Sequence, residues 1–363
     1  MTKILIPFET SIGERRVSAT PETVKKLKNL GCDVYIEKSA GELSGFKDFS
    51  YEESGGIIFT KQDFNHWKEA DIIFCIHCPE YEKLNKLKEG CLIIGLLNPF
   101  ANKDLAKILS DLKLSAIALE LLPRISRAQS SDVLSSQANI AGYKSVLLAA
   151  SELDRYFPML MTAAGTVQPA KVVVLGGGVA GLQAVATAKR LGALVFVSDI
   201  RPVVKEQVES LGAKFINLPE IDEKPTESGG YAKAVSTKFL EEQRAILSKH
   251  LSEADVAICT AQVLGKKAPI LIDDKMLENM RTGSVVVDLA VAQGGNCVHT
   301  KQNQIVIKNG VKLIGASELP ASVPYHASSL YSKNLISLIT PFINNGILNI
   351  NKNDEIILGC LIS

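Results

Sequence analysis

The chain has 363 residues and a formal net charge of +1, with 40 basic and 39 acidic side chains. This length is sufficient for two domains with separate hydrophobic cores. The charges are balanced and no long basic or acidic block is present. The sequence therefore lacks the concentration of positive charge that nucleic-acid binding requires.

The local composition predicts neither a membrane span nor an export signal. Every window of 18 or more residues is interrupted by charged or polar side chains, so we expect no transmembrane helix. The first residues, MTKILIPFE, lead directly into a strand pattern and carry no signal peptide. We therefore expect a cytosolic protein.

Residues 1–128 alternate strand and helix patterns, which is typical of a doubly wound α/β domain. A strand is predicted at 3–7. A helix is predicted to begin at Pro21, with Thr20 before it and Glu22 in its first turn, and to end at Gly31. Further strands are predicted at 33–37, 56–59, 71–76, 91–96 and 114–118. This region has no glycine-rich phosphate-binding motif.

Seven cysteines are scattered over the chain, and this odd number suits a reducing compartment. Cys75 and Cys78 flank His77 in a C-I-H-C motif, which suggests a metal or redox pair. The apolar run 71–76 favours a buried strand instead, and a strand would direct the two thiols to opposite faces. No second pair completes a zinc site, so we interpret both cysteines as structural.

Residues 123–143 are unusually polar for a segment between two domains. They offer two arginines, one carboxylate, amides and hydroxyls, which can orient a carboxamide and a ribose. The alternative is a solvated helix start capped by Ser130 or Ser131. Helical spacing over 130–156 predicts a helix that joins the two halves of the chain.

Residues 171–199 combine, in order, a strand, a glycine-rich turn, a helix, a second strand and an acid. The turn matches G-x-G-x-x-G. In such a motif Gly176 permits the tight turn, Gly178 lets the backbone approach a pyrophosphate, and Gly181 lets helix and strand pack closely. Because all these elements occur in order, the segment predicts dinucleotide binding.

Asp199 follows the second strand, where a carboxylate can accept hydrogen bonds from both hydroxyls of the adenosine ribose. A carboxylate repels a 2′-phosphate, which favours NAD(H) over NADP(H). Arg201 weakens this preference, because a guanidinium can pair with a phosphate. The alternative for Arg201 is a surface position before Pro202.

The pattern continues to the end of the chain. A helix is predicted at 205–211, and strands at 214–216, 255–259, 284–288 and 311–314. A polar loop at 220–231 is a passive connector, a lid or a partner contact. A helix at 327–339 is predicted to pack back on the first domain. We thus predict two doubly wound Rossmann-like domains with a cleft between them: 1–128 plus 320–363, and an NAD(H)-binding domain, 129–319, that includes the joining helix.

The chain closely resembles the NAD(H)-binding domain, domain I of the alpha subunit, of proton-translocating NAD(P) transhydrogenase. The matching motifs are PRISRAQSSDVLSSQANIAGY, GGGVAG, SDIRP, VKEQVESLGA, GGYAK and VVVDLAVAQGGNC. The resemblance covers nearly the whole chain. Alanine dehydrogenase is related in fold and shares an R-V-x-x-T-P element, here at 16–21.

The resemblance implies roles for individual residues. The residues that position the nicotinamide for catalysis are Arg124, Gln129, Asp132 and Ser135. Tyr231 corresponds to the tyrosine of the family's mobile loop and is a further catalytic candidate. The residues that bind the cofactor are Gly176, Gly178, Val179, Ala180, Gly181, Asp199, Ile200, Arg201, Gly230 and Ala261, together with Gln129 and Ser135. No metal site is implied. Residues 259–269 depart from the family's TTALIPGKPAP and read CTAQVLGKKAP, so two prolines are lost.

An alanine dehydrogenase needs a general acid/base and a cation for the substrate carboxylate. The resemblance implies that its lysine, histidine and aspartate correspond here to Cys75, Asn98 and Ala292. Only Arg16 remains, and its alternative role is structural. Hydride exchange between two nicotinamides requires alignment and exclusion of water but no proton transfer at the ring.

The resemblance therefore predicts a subunit that holds NADH and passes a hydride to NADP⁺ on the NADP(H)-binding domain of the beta subunit. Proton translocation would be coupled through membrane-spanning subunits. It further implies a homodimer, peripheral on the cytoplasmic face of the inner membrane. The alternatives are an alanine-type amino-acid dehydrogenase and a non-catalytic NAD-binding module.

Overall fold

The computed structural model describes residues 1–218 and 237–362. The chain forms two compact units, Met1–Ala138 with Pro320–Ser363, and Asn139–Leu319. Each contains a mainly parallel sheet connected by helices, as the alternating sequence pattern predicts. Within the described residues, no helix combines the length and apolar character that a membrane crossing requires.

The first unit opens with six strands and five helices. In chain order they are β1 (Lys3–Ile6), α1 (Pro21–Asn29), β2 (Asp33–Glu37), α2 (Asp48–Glu53), β3 (Ile57–Phe59), α3 (Asn65–Glu69), β4 (Ile72–His77), α4 (Tyr81–Leu84), β5 (Leu92–Leu96), α5 (Leu105–Asp111) and β6 (Ser115–Ala118). The sheet order is β3-β2-β1-β4-β5-β6, and every pair is parallel.

Strand β1, in the interior of this sheet, is buried on both faces. Ile4 and Ile6 belong to one hydrophobic cluster and Leu5 to another, because alternate side chains of a strand point to opposite faces. Helix α1 begins where the sequence predicts. Its N-cap, Thr20, forms a reciprocal capping box with Thr23.

The second unit begins within the helix α6 (Val133–Glu152). Its elements are β7 (Leu160–Thr162), β8 (Gly165–Val167), β9 (Lys171–Leu175), α7 (Val179–Arg190), β10 (Leu194–Ser198), α8 (Val204–Ser210), β11 (Lys214–Phe215), α9 (Thr237–Ser252), β12 (Val256–Cys259), α10 (Asp274–Asn279), β13 (Val285–Asp288), β14 (Ile305–Lys308) and β15 (Val311–Gly315). The main sheet has the order β11-β10-β9-β12-β13-β15-β14, with only β14 antiparallel among the described strands of this sheet.

The end of the chain returns to the first unit, as predicted. It forms α11 (Pro324–Ile339), β16 (Ile343–Asn344), β17 (Ile347–Leu348) and α12 (Glu355–Cys360). The hydroxyl of Tyr331 on α11 donates to the Cys75 carbonyl over 2.7 Å. The backbone N–H of Val17 donates to Ser328 Oγ over 2.9 Å.

The division between the units falls within α6, after Ala138, whereas the sequence-based boundary lies between residues 128 and 129. Ala128 and Val133 belong to the main hydrophobic cluster of the first unit. The Gln137 amide donates to the Ala327 carbonyl on α11 over 3.1 Å. These contacts keep residues 129–138 with the first unit.

The C-I-H-C motif lies where β4 ends. Cys75 is on the strand and fully buried, while Cys78 lies beyond the last strand residue, His77. The strand that we predict over the first cysteine is present. Burial raises the pKa of the Cys75 thiol well above its ordinary value and raises that of Cys78 to about 11. Both thiols are therefore protonated at neutral pH, as suits structural cysteines.

Candidate functional site

The strand order of the second unit reverses at β9. The chain proceeds from β9 to β10 and β11 on one side, and then crosses to β12 and β13 on the other. In sheets of this kind, the usual ligand site lies at such a switch point, outside the carboxyl ends of the strands, here those of β9 and β12. Gly176–Gly178 follow β9, and Thr260 begins the loop after β12.

Each glycine of the turn after β9 has a distinct steric reason. Gly176 has φ +105°, and a Cβ there would lie 2.6 Å from Thr260 Oγ1. A Cβ on Gly181 would lie 1.9 Å from the Gly176 carbonyl oxygen. By contrast, a Cβ on Gly178 would meet no atom of residues 1–218 or 237–362 within 4 Å. The first and third glycines are thus required by packing, whereas the second borders open space.

Helix α7 points its amino terminus at this turn. Its N-cap, Gly178, provides no side-chain cap, so the first backbone N–H groups remain available to an anion. Val179 and Ala180 form the first turn. The Ala180 carbonyl packs against Gly142 of α6, where a Cβ would approach to 2.1 Å. This close contact fixes the start of α7.

Asp199 follows β10 and accepts four hydrogen bonds. Its Oδ2 accepts from the Gly177 N–H over 2.7 Å, and its Oδ1 accepts from the Arg201 N–H over 2.8 Å. The Arg201 guanidinium donates to both oxygens, over 3.0 and 2.9 Å. Burial alone would raise the pKa of Asp199, but the guanidinium and the two backbone N–H groups hold it below its ordinary value. Asp199 is therefore ionised.

The structure places Arg201 at the surface, where its guanidinium pairs with Asp199. The guanidinium is half exposed and neutralises the carboxylate. Ribose hydroxyls would need the same carboxylate oxygens, so the Arg201 side chain has to turn away when a ribose binds. Ile200, between the two residues, is exposed beside this position.

The polar segment before α6 is a short 3₁₀ helix, Ser126–Ser131. Asp132 follows it and accepts from the Ser135 N–H over 2.9 Å and from the Ser135 hydroxyl over 2.6 Å. The expectation that Ser130 or Ser131 caps the helix is therefore wrong, because the carboxylate of Asp132 accepts the free N–H of the first turn. Asp132 and Ser135 satisfy one another.

The same segment is anchored at three points. Ala128 is buried in the hydrophobic cluster, and the Ser130 carbonyl accepts from the Asn334 amide over 2.7 Å. Arg127 forms a two-pronged ion pair with Asp354, with both distances 2.8 Å. The neighbouring predicted residues, Arg124 and Gln129, therefore lie on a fixed backbone.

Arg124 and Gln129 are both exposed to solvent. Among the described residues, neither side chain has a hydrogen-bond or ion-pair partner, so both are available to a ligand. The two remaining predicted residues, Gly230 and Tyr231, lie outside the described residues.

Sequence reasoning missed three residues that hold the loop after β12. Thr260 Oγ1 donates to the Gly176 carbonyl over 2.9 Å. Asn296 Oδ1 accepts from the N–H of Ala261, the predicted cofactor residue, over 3.0 Å. Asp288 in turn accepts from the Asn296 N–H over 2.8 Å. Both Asn296 and Asp288 lie in the VVVDLAVAQGGNC motif, and this motif was the feature of the sequence that could have identified them.

The corresponding edge of the first unit carries charged side chains. Arg16 is buried, and its guanidinium donates to both oxygens of Glu14, over 2.8 and 2.6 Å. It also donates to the Gln137 side-chain carbonyl over 3.0 Å. Burial opposes ionisation of Glu14, but Arg16 and His77 lower its pKa far below the ordinary value. These contacts favour the structural role for Arg16.

Cys75, Asn98 and Ala292 supply no titrating group at neutral pH. The Cys75 thiol is protonated, as its buried position requires. Asn98 donates its backbone N–H to Glu120 over 2.6 Å, and Ala292 lies in a short 3₁₀ helix, Val291–Gln293. These three residues, which the resemblance aligns with the acid/base groups of alanine dehydrogenase, therefore offer no acid/base group at neutral pH.

Comparisons with known proteins agree with this geometry. The profile described as alanine dehydrogenase/PNT, N-terminal domain, matches residues 5–141, and the profile described as alanine dehydrogenase/PNT, C-terminal domain, matches residues 145–363. An NAD(P) transhydrogenase subunit alpha chain from Rhodospirillum rubrum is 43% identical over 369 residues, covering 99% of this chain and 96% of the relative.

Two solved structures are similar over nearly the full length. A transhydrogenase from Sinorhizobium meliloti superposes with a TM-score of 0.90 at 40% identity, covering 99% of this chain and 97% of that one. An L-alanine dehydrogenase superposes with a TM-score of 0.77 at 27% identity, covering 96% and 95%.

Proposed function

Because the chain belongs to the alanine dehydrogenase/PNT family and, within it, to the NAD(P) transhydrogenase alpha subunits, we propose that it binds NADH and passes a hydride to NADP⁺ on a partner domain. The hydride leaves C4 of the dihydronicotinamide, so NADH becomes NAD⁺ and NADP⁺ becomes NADPH. Only the first nucleotide binds to this chain.

The observation that carries the proposal is the open turn after β9. Gly178 borders space that holds no atom of the described residues, next to an uncapped helix terminus and the ionised Asp199. A pyrophosphate fits the N–H groups at the helix start, and a ribose fits the carboxylate. Once the Arg201 guanidinium has turned away from Asp199, the negative charge of the carboxylate favours NADH, because a 2′-phosphate would meet like charge.

The chemistry requires orientation more than proton transfer. Arg124 and Gln129 are exposed on an anchored segment, and an amide can both donate to and accept from a carboxamide or ribose. Asp132 and Ser135 are close to Gln129 in sequence and hold the start of α6. We assign to Gln129 the main positioning role, to Arg124 a role in both binding and rate, and to Tyr231 a role in closing the site.

The partners follow from the family. A homodimer is supported by the hairpin β7–β8, whose six residues are all exposed, including Leu160, Met161 and Val167. Exposed apolar side chains on a two-stranded arm are suited to burial against another chain. The NADP(H)-binding domain of the beta subunit supplies the second nucleotide. Membrane-spanning subunits couple the reaction to proton translocation and hold this chain at the cytoplasmic face of the inner membrane.

Reconstitution with a transhydrogenase NADP(H)-binding domain tests the function. We expect single-turnover hydride transfer from NADH to NADP⁺ by the wild-type chain. Gln129→Asn should lower that rate on the order of 100-fold, because a displacement of about 1 Å has such an effect, with NADH affinity nearly unchanged. The matched control Gln302→Asn changes another exposed glutamine and should keep the wild-type rate. No transfer by the wild-type chain would refute the proposal.

The alanine dehydrogenase alternative rests on the related fold and on Arg16. Because Glu14 already neutralises Arg16, and Cys75 provides no titrating group, we expect no alanine-dependent reduction of NAD⁺. Robust activity with alanine and the pure chain would favour the alternative. A non-catalytic NAD-binding module would bind NADH but transfer no hydride on addition of the partner domain.

A further inference from the structure

The loop after β12 is exposed but closed at its base. Residues 262–267 are all exposed, whereas Ala261 is partly buried and Ala268 is buried. Two flanking residues, Ala261 and Pro269, therefore form the neck of the loop. The neck lies beside the nucleotide turn, because the hydroxyl of the preceding Thr260 donates to the Gly176 carbonyl over 2.9 Å.

One side chain joins both ends of this neck. Asn296 is fully buried, and its Nδ2 donates to the Ala261 carbonyl over 2.9 Å and to the Pro269 carbonyl over 2.8 Å. Its Oδ1 accepts from the Ala261 N–H over 3.0 Å. The amide of Asn296 thus satisfies three backbone groups that would otherwise be unpaired, and it fixes the separation between the two ends of the loop.

Asn296 is itself held rigidly. Asp288, fully buried at the end of β13, accepts from the N–H groups of Asn296 and Cys297, over 2.8 and 3.0 Å. Gly295 has φ +80°, and a Cβ there would lie 2.8 Å from Asp288 Oδ2. The two residues before Asn296 are glycines, which let the backbone turn closely around the carboxylate.

A second side chain restrains the exposed stretch of the loop. The amide of Gln262 donates to the Leu289 carbonyl over 2.6 Å. Gln262 replaces a leucine of the family motif, in a loop where Leu264 and Lys267 replace prolines. Proline fixes φ near −65°, so its loss gives a loop more conformations. The Gln262 tether offsets this freedom by holding the loop to the end of β13.

The place of this loop in the sheet indicates which half of the cofactor it affects. Asp199 follows β10, which lies on one side of β9. The loop after β12 and Asn296, which follows β13 in sequence, belong to strands on the other side of β9. A dinucleotide whose adenosine ribose lies at Asp199 spans the switch point, so its nicotinamide half lies toward the β12 side.

We propose that Asn296 is a positioning residue for the nicotinamide half of the dinucleotide, acting through the loop that begins at Ala261, with Gln262 as an auxiliary tether. The proposal deepens the function proposed above and rests on it. The Asn296 side chain does not need to touch the cofactor. Its effect is to keep the loop in one conformation before binding, which reduces the entropy lost when the ligand binds.

Equilibrium binding of NADH and of AMP to the full chain separates this role from general destabilisation. AMP contains only the adenosine half and one phosphate, so it contacts the Asp199 side alone. For Asn296→Ala we expect NADH to bind about tenfold or more weakly, since buried hydrogen bonds are lost, and AMP to bind within about twofold of wild type. Gln262→Leu should weaken NADH binding about threefold and leave AMP binding unchanged.

The matched control is Gln302→Leu, which makes the same change at another exposed glutamine of the second unit and should alter neither affinity. Equal weakening of NADH and AMP by a folded Asn296→Ala, or no change in either, would overturn the proposal. If Asn296→Ala does not fold, Gln262→Leu decides: selective loss of NADH affinity supports the proposal, and its absence overturns it. A wild-type chain that binds AMP but not NADH would instead contradict the proposed function.

Discussion

In both units the first strand lies inside the sheet, between the next strand in sequence on one side and a strand from a later crossover on the other. The turns that follow these strands differ. In the second unit three glycines separate β9 from α7, whereas residues 7–20 separate β1 from α1 in the first unit. The short glycine turn leaves Gly178 beside space that the part of the chain described by the structure does not fill. The long connection of the first unit turns charged side chains inward.

In the first unit, the carboxyl end of the sheet is occupied by the unit's own hydrogen-bonding groups. We call this end the filled edge, and the carboxyl end of the second unit's sheet, at Gly178, the open edge. Glu9 accepts from the N–H groups of Ile76 and His77, and Glu14 pairs with Arg16 and His77. A cavity beside Glu9 and His77 has a volume of ≈ 20 Å³, about enough for one water molecule. The shared strand order thus provides two candidate sites at the carboxyl ends of strands, and we propose that the residues after the first strand decide which of them admits a nucleotide.

The largest expected effect concerns the filled edge. Glu14→Gln removes the buried carboxylate that pairs with Arg16 and His77, so we expect a loss of about 3–5 kcal/mol in the free energy of unfolding. Urea denaturation at pH 7 measures it. NADH affinity should stay within about twofold of wild type, because the site is in the other unit. Loss of NADH affinity in a variant of unchanged stability would break the comparison.

The open edge should respond in the opposite way. Gly178→Ala places a methyl group where a pyrophosphate is expected, so NADH should bind on the order of 100-fold more weakly while stability changes by no more than about 1 kcal/mol. Gly181→Ala is the contrasting variant: its Cβ would lie 1.9 Å from the Gly176 carbonyl oxygen, so the thermal midpoint should fall as well. Normal NADH binding by Gly178→Ala would exclude this turn as the phosphate site.

The adenosine end of the open edge should set the cofactor preference. We expect wild type to favour NADH over NADPH by about 1–3 kcal/mol, and Asp199→Asn to reduce that difference, because the amide no longer repels a 2′-phosphate. Parallel fluorescence titrations with the two nucleotides measure it. Arg201→Met provides the complementary test, since it should leave NADH favoured. Equal wild-type affinities would show that Arg201, not Asp199, governs the ribose site.

The smallest effect is a pH dependence from the filled edge. Burial raises the pKa of Glu9 to about 7, although the backbone N–H groups of Ile76 and His77 oppose this shift. The pKa of Glu9 is therefore higher in the folded protein than its ordinary value of 4.5. Because of this difference, the contribution of Glu9 to the free energy of unfolding is fully present below pH 4.5 and decreases as the pH rises toward 7. Glu9→Gln should reduce this decrease by on the order of 1 kcal/mol. Denaturation of wild type and Glu9→Gln at pH 5 and pH 8 tests this prediction. An identical change in the free energy of unfolding between the two pH values for both proteins would contradict it.

Features with local sequence signals could be predicted, whereas contacts between residues far apart in the sequence could not. Strands and the G-x-G-x-x-G turn are predictable because their signals are local: apolar runs, and glycines at fixed spacing. The Arg16 contact to Gln137 spans 121 residues, and the Asn296 contact to Ala261 spans 35. Contacts of this kind depend on the folded sheet. Asp132 was identified by its motif, but its role as a helix cap became visible only with the geometry around Ser135.

Other features escaped prediction for different physical reasons. The hairpin β7–β8 is exposed throughout, so its sequence carries little apolar alternation to indicate strands. The antiparallel strand β14 lies at the sheet edge, where its side chains are mostly exposed. The Arg201 pairing with Asp199 was missed because a guanidinium two residues from a carboxylate has several possible partners, and only the turn geometry selects one.

The central claim is that one of two similar sheet edges binds a dinucleotide. Equilibrium titration of the full chain with NADH, analysed for the number of sites, tests it most directly, with Gly178→Ala and Glu14→Gln titrated alongside. The account predicts one NADH per chain for wild type and for Glu14→Gln, and no detectable high-affinity site for Gly178→Ala. Two sites per wild-type chain, or a site retained in Gly178→Ala and lost in Glu14→Gln, would contradict it.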